Sequence, residues 1–221
     1  TDLHNIINLY LAVVFASQCK SEYISKNIDP AIYKHTMGDI NIWVSSYYSK
    51  NGITGLQEIN WIRNHLSFRL FRLGRLQFEM TTLEKKVKTY SENTPCLNIH
   101  IPEGEKLDID KCQKSLKEAG PFFNKFFNIK YQIAVCHSWL LHENLKHVLP
   151  EDSNIIKFSR LFEIIDNDND NSQTLERVFG ENVKISDDLP EKTTLQRKLK
   201  TYLLEGNKIG SGYGIIELQQ I

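Results

Sequence analysis

The period of the hydrophobic pattern changes once along this chain, and that change limits the fold more than any other feature. Up to about residue 70, apolar residues recur at helical spacing. Then Arg75-Leu76-Gln77-Phe78-Glu79-Met80 alternates strictly, which puts Leu76, Phe78 and Met80 on one face of a strand and Arg75, Gln77 and Glu79 on the other. Cys96-Leu97-Asn98-Ile99-His100-Ile101 alternates in the same way, with Asn98 and His100 opposite the apolar face. Tyr131 to Trp139 is β-rich and reads as a central strand. Ile155 to Ile165 is ambiguous between helix and strand, its second half from Leu161 favouring strand. Ile215 to Leu218 reads as the last strand. Helices and strands mix without strict βαβ alternation, which predicts an α/β or α+β domain: a central mixed or antiparallel sheet with flanking helices.

The helical part divides into three. Residues 4–18 are apolar nearly all round, which predicts a buried helix. Asp29-Pro30 starts a second helix that runs to about Tyr48, with Ile32, Thr36, Ile40, Trp43 and Tyr47 on one stripe. A third follows Gly55 and continues to about Phe71. Further on, Asp108 can cap a helix carrying Ile109, Cys112, Leu116 and Ala119, which Gly120-Pro121 is expected to break. Short helices are expected at 142–148, 173–179 and 193–205.

Composition excludes more than it assigns. With 27 Lys+Arg against 27 Asp+Glu, no net basic field favours nucleic acid or anionic lipid. No run of about 18 apolar residues offers a membrane span. Cys19, Cys96, Cys112 and Cys136 form no C-x-x-C pair and read as buried free thiols in a reducing, cytoplasmic setting. The chain starts at Thr1 without Met and without a signal-peptide pattern, which suggests a processed terminus or a cut from a longer chain.

Three segments resemble ligand motifs and fall short of them. The run Asp166–Asn171 has calcium-loop spacing at its first, third and fifth positions, but lacks the glycine at the sixth and the glutamate at the twelfth, so it reads as a solvated turn. Gly210-Ser211-Gly212-Tyr213-Gly214 precedes a strand rather than a helix, which predicts close backbone approach and not a phosphate cradle. His137, His142 and His147 are five apart and out of phase for a shared metal, so no metal is expected.

What remains is three polar strand faces: Arg75, Gln77 and Glu79; Asn98 and His100; Cys136 and Ser138. Polar groups on strands flanked by apolar runs must be paired, solvated or functional, because unsatisfied burial is costly. An internal hydrogen-bond network satisfies that rule, and so does a cleft lined by the three faces. If 75–80 and 96–101 are neighbours, Glu79 comes within reach of His100.

The order of segments carries a resemblance. The run Gly55-Leu56, Trp61, His65-Leu66 and Phe71-Arg72-Leu73-Gly74-Arg75-Leu76-Gln77-Phe78-Glu79 resembles a family of bacterial acyltransferase domain-containing proteins. So do His100-Ile101-Pro102, Cys136-His137-Ser138-Trp139-Leu140-Leu141, and Leu149-Pro150 with Ser153-Asn154-Ile155. Members carry a GNAT-like (N-acetyltransferase-like) C-terminal domain after a smaller N-terminal domain. The resemblance implies that residues 1–221 are a single GNAT-like domain from the C-terminal part of a longer chain, with helical segment 1–70 packed on sheet domain 71–221. Its expected partner is then the N-terminal domain of that longer chain. It further implies two splayed strands, 96–101 and 131–139, with acetyl-CoA or another acyl-CoA set between them and its pyrophosphate on the helix from Asp108.

In that reading Glu79 or His100 is the general base for a small amine or hydroxyl acceptor, and Ser138, or less readily Cys136, meets the leaving thiolate. Arg75, Gln77, Asn98 and Cys136 are the expected substrate-binding residues. The alternative is a non-catalytic GNAT-like module that binds a small ligand or a partner domain. It is favoured by Pro102-Glu103-Gly104-Glu105-Lys106-Leu107-Asp108, which has one glycine and three acidic residues where an anion would sit.

Overall fold

The computed structural model describes residues 2–220. Three helices come first: α1 (Asp2–Ser25), α2 (Pro30–Asn51) and α3 (Ile59–Leu66). Strands β1 (Leu70–Leu73), β2 (Leu76–Thr82) and β3 (Pro95–His100) follow, then the long helix α4 (Ile109–Phe127) and β4 (Ile133–Ser138). A 3₁₀ turn at Trp139–Leu141 leads into two short helices, α5 (Leu145–Val148) and α6 (Asn154–Ser159). After them come β5 (Glu163–Asn167), α7 (Ser172–Phe179), α8 (Thr194–Leu204) and β6 (Gly212–Glu217). The sheet has six strands in the order β1-β2-β3-β4-β6-β5. Among the described residues, only the β3–β4 pair is parallel. This is the mixed central sheet with flanking helices that the pattern predicts.

Alternation sorts the two faces. Leu76, Phe78, Leu97, Ile99, Ala134 and Cys136 join the main core beneath the helices. Cys96, Ile133, Val135 and Ile215 form a smaller cluster on the other side with Leu83 and Val87. The second face of β2 is buried too, so Arg75, Gln77 and Glu79 are all withdrawn from water. The N-terminal helices close the β1 edge: the Arg72 backbone N–H donates to Thr36 Oγ1 of α2 at 2.9 Å. That contact blunts an otherwise open strand edge.

Several expectations need correction. Helix α1 is not buried all round. Asn8, Ala12, Ala16, Cys19 and Tyr23 face inward at three- and four-residue spacing, while Leu3, Ile6, Tyr10 and Val13 on the opposite side are exposed. An all-apolar helix has no pattern to say which face finds a partner. Helix α3 ends at Leu66, where Phe68 takes a left-handed φ of 57°, and the residues expected to continue it become β1. Gly74, at φ 62°, makes the β1–β2 turn.

Helix α4 runs through Gly120-Pro121. A proline inside a helix costs about 3 kcal/mol, and the packing beyond it offsets that cost. Phe122 and Phe127 each lie 5.2 Å from Phe71, and Phe123 lies 5.5 Å from Tyr131, centroid to centroid. The helix expected at 142–148 is the 3₁₀ turn plus α5, and the first half of the ambiguous 155–165 stretch is α6. Asp166 and Asn167 end β5 instead of forming a free turn, and Asp168 Oδ1 accepts the backbone N–H groups of Asp170 and Ser211.

Candidate active site

Strands β3 and β4 pair only at Leu97↔Ala134 and Asn98↔Val135. Beyond that point both continue, β3 to His100 and β4 to Ser138, without pairing each other. The sheet is therefore split at its parallel seam. A cavity of about 560 Å³ opens there, lined by Ile99 and His100 on one side and Ser138 and Trp139 on the other. Helices α2 and α3 wall it with Asp39, Trp43 and Trp61, so all three tryptophans of the chain line one space.

His100 is held from two directions. Its Nε2 lies 3.0 Å from Glu79 Oε2, across the diagonal of the β2–β3 ladder, where Glu79 itself faces Asn98. Trp61 packs edge-on against its ring, centroids 4.7 Å apart. The His100 hydrogen bond is the main cause that holds the Glu79 carboxyl below the usual carboxylate range. Burial pushes the other way, and Arg69, whose Nη2 donates to Oε1 at 2.6 Å, adds to the lowering. An ionised carboxylate can only accept hydrogen bonds. The proton of a neutral His100 therefore sits on Nε2, and Nδ1 keeps its lone pair. Glu79 stands behind His100, outside the cavity lining.

Ser138 lies at the opposite wall. Its Oγ accepts the Leu140 backbone N–H at 3.2 Å, which leaves its O–H as a spare donor.

The remaining expected site residues divide. Gln77 lines the cavity, but its carboxamide is engaged by Asp39 and sits 3.3 Å from His65 Nε2. Asn98 is half-buried beside Glu79 and outside the lining. Cys136 shares a face with Ser138 but does not line the cavity. It is sealed in the core, and burial pushes its thiol up to about 12. A substrate-binding role for Cys136 is therefore set aside.

Arg75 is engaged more fully. Its buried guanidinium donates to the carbonyls of Pro102 at 2.9 Å, Glu105 at 2.9 Å and Lys106 at 3.0 Å. Burial is the first cause that lowers its pKa. Arg75 lines the cavity, but its charge is engaged in shaping the loop between β3 and α4. All peptide bonds here are trans, so a carbonyl and the N–H that follows it point opposite ways. The carbonyls at 102, 105 and 106 face Arg75, so the amides of Glu103, Lys106 and Leu107 point away from it. The acidic groups of the same loop are occupied. Glu105 pairs with Arg72 at 2.6 Å, Glu103 pairs with Arg177 at 2.8 Å, and Asp108 caps α4 by accepting from the Lys111 N–H. The like-charge objection to an anion at this loop is correspondingly weaker.

Asp39 and its donors were not foreseen. Its Oδ2 accepts from Trp61 Nε1 at 2.7 Å and Trp43 Nε1 at 3.2 Å, and lies 3.3 Å from His65 Nε2. Burial raises the Asp39 carboxyl, but hydrogen bonds from His65, Trp61 and Gln77 outweigh it and leave the group below its ordinary value. The sequence carried a signal: Asp39–Trp43 and Trp61–His65 are both i, i+4 pairs, so each shares a helix face. Among the described residues, no group of three or more His, Cys, Asp or Glu side chains is placed to hold a metal ion. No described helix is long and apolar enough to cross a membrane.

A mixed sheet split at a parallel strand pair, followed by a helix that starts at the mouth of the split, defines a GNAT-like domain. Residues 70–216 match the family described as GNAT-like C-terminal domain, and residues 2–68 match the N-acyltransferase N-terminal domain. The chain belongs to this acyltransferase family. The N-terminal domain that the resemblance implies thus has its match inside the chain, at the helical segment.

Solved structures agree. An acyltransferase in complex with decanoyl-CoA and teicoplanin is 28% identical with a TM-score of 0.86, covering 97% of this chain and 67% of its own. A mutant acyltransferase in complex with octanoyl-CoA is 27% identical with a TM-score of 0.86, covering 96% and 66%. An acyltransferase in complex with CoA and 10C-teicoplanin is 27% identical at the same TM-score, covering 97% and 67%. The chain spans about two thirds of the length of these proteins. Among curated proteins, nothing matches.

Proposed function

We propose that this chain transfers an acyl group from a coenzyme A thioester to an amine or hydroxyl acceptor, in the gap between β3 and β4. The observation that carries the reading is the His100–Glu79 couple opening onto the one place where the sheet is unzipped. His100 Nδ1 takes the proton from the attacking group as it adds to the thioester carbonyl. Glu79 fixes the ring through Nε2–H and stabilises the imidazolium that forms. The tetrahedral intermediate collapses with cleavage of the C–S bond. Ser138 donates a hydrogen bond to the departing thiolate, and the proton held on His100 returns to sulfur or to water.

The solved relatives bound to decanoyl-CoA, octanoyl-CoA and CoA support the donor class. The amides of the 102–107 loop that are turned away from Arg75, and the N-terminus of α4, offer N–H donors for the phosphates of such a donor. Gln77 and Trp61 line the same cavity.

The test is thiol release from decanoyl-CoA in the presence of a panel of primary amines. A positioned general base is worth roughly 10²–10⁴ in rate. His100→Gln should lose that much kcat while still binding decanoyl-CoA with unchanged affinity. Full activity in this variant removes the assignment.

A further inference from the structure

Asp39 is a carboxylate only 3% exposed, inside a domain where a leucine of similar size would pack at no electrostatic cost. Taking a carboxylate out of water costs several kcal/mol unless donors replace the water. Here the donors are two indole N–H groups, an imidazole and a carboxamide, drawn from α2, α3 and β2. Such a group is a poor device for stability and a good one for placing rings. The ring placed most tightly is Trp61. Its Nε1–H meets Asp39 at 2.7 Å, its face or edge meets His65 at 5.2 Å and 82°, and it meets His100 at 4.7 Å and 67°. His100 is thus gripped by Glu79 on one side and by an indole whose own angle Asp39 sets on the other.

We propose that Asp39, from the N-terminal helical segment, is a positioning residue that acts through Trp61 to fix the ring of His100. Asp39 need not touch the reacting atoms. It makes residues 2–68 part of the site, because a domain that carries neither the base nor the seam still determines how the base is presented. The inference rests on His100 being the base of the proposed transfer, and its main test needs no acceptor.

The tautomer and ring environment of His100 can be read in the free protein by long-range ¹⁵N–¹H NMR correlation, with its signals assigned by their loss in His100→Gln. The wild type should show one Nε2–H tautomer. Asp39→Asn keeps the volume but replaces one acceptor oxygen with an NH₂ that repels the indole N–H groups, and it should move the His100 signals and bring in a second tautomer. Trp61→Phe keeps an aromatic ring but has no N–H for Asp39. It should give the same change, and the double variant should add nothing further, as expected for two residues acting in series.

In all three, kcat in the amine assay should fall by roughly tenfold to a hundredfold, the scale of a small misplacement of a reacting group. His100 signals that superimpose on the wild type in Asp39→Asn overturn the proposal, as do additive changes in the double variant. If Asp39→Asn fails to fold, Trp61→Phe decides alone, since Asp39 keeps its other donors: an unmoved His100 ring then overturns it. Absence of decanoyl-CoA turnover in the wild type would instead remove the transferase reading and leave the ring measurement standing.

Discussion

Strand β4 has two edges that were built differently. Against β6 it makes six consecutive register pairs from Ile133↔Glu217 to Ser138↔Gly212, and against β3 it makes two. The zipped edge is tightened by glycines. A Cβ on Gly212 would lie 2.6 Å from the Leu141 backbone, and one on Gly214 would lie 2.9 Å from Phe162 Cβ. The open edge has no such device. It is flanked by polar groups that are satisfied from behind: Glu79 by His100 and Arg69, Gln77 by Asp39, Arg75 by three loop carbonyls. One strand thus carries stability on one side and chemistry on the other, and the split persists because the polar groups around it are already paired within the protein.

That contrast can be broken in graded steps. The largest effect on stability should come from Arg75→Met on the open side. Three carbonyls lose a charged donor, and at about 1–3 kcal/mol for each buried group left unpaired the loss is several kcal/mol. Urea denaturation should show a lower midpoint, and acyl-CoA affinity should fall as the 102–107 loop loses its shape. A midpoint equal to the wild type would mean that the guanidinium does not hold the loop.

Next is the zipped side. Gly212→Ala forces a methyl against backbone that cannot move aside, an overpacking cost of about 1–3 kcal/mol. The melting temperature should fall while decanoyl-CoA affinity in the surviving folded protein is preserved. A fall in affinity without a fall in melting temperature would contradict the division of labour.

The smallest effect is pH-dependent. The folded-state pKa of Glu79 is depressed, mainly by the hydrogen bond from His100. The unfolded chain therefore binds its proton first as pH falls. The couple contributes its full stability above the unfolded value, near 4.5, and loses it as pH drops through the folded value. Glu79→Gln should flatten the acid limb of the stability curve below that point, relative to the wild type. Parallel curves for the two proteins would show that Glu79 is not ionised in the couple.

The sequence was legible wherever one side chain in two had to face a core. The alternation at 75–80 and 96–101 predicts β2 and β3 within a residue or two, and it brings Glu79 within reach of His100 once the two strands are neighbours, while the register that makes the contact diagonal is seen only in the structure. Other features depended on partners that a one-dimensional pattern cannot show. Leu70–Leu73 is a strand because Phe68 breaks the helix and α2 supplies Thr36 to the edge. Pro121 stays inside α4 because Phe71 and Tyr131 hold the phenylalanines after it. Cys136 and Ser138 share a face by parity, and parity cannot show that one is sealed in the core while the other lines the cavity. Asp39 was hidden for a similar reason: in α2 it reads as one polar residue beside an apolar stripe, and its donors come from three different elements.

The central claim is that the gap between β3 and β4 holds the thioester of an acyl-CoA beside His100. A crystal structure of the protein with decanoyl-CoA tests it most directly. The account predicts the thioester between the parted strands, its sulfur within hydrogen-bond distance of Ser138 Oγ and its carbonyl carbon on the Nδ1 side of His100. Decanoyl-CoA bound elsewhere, or a thioester on the far side of the sheet from His100, would contradict it.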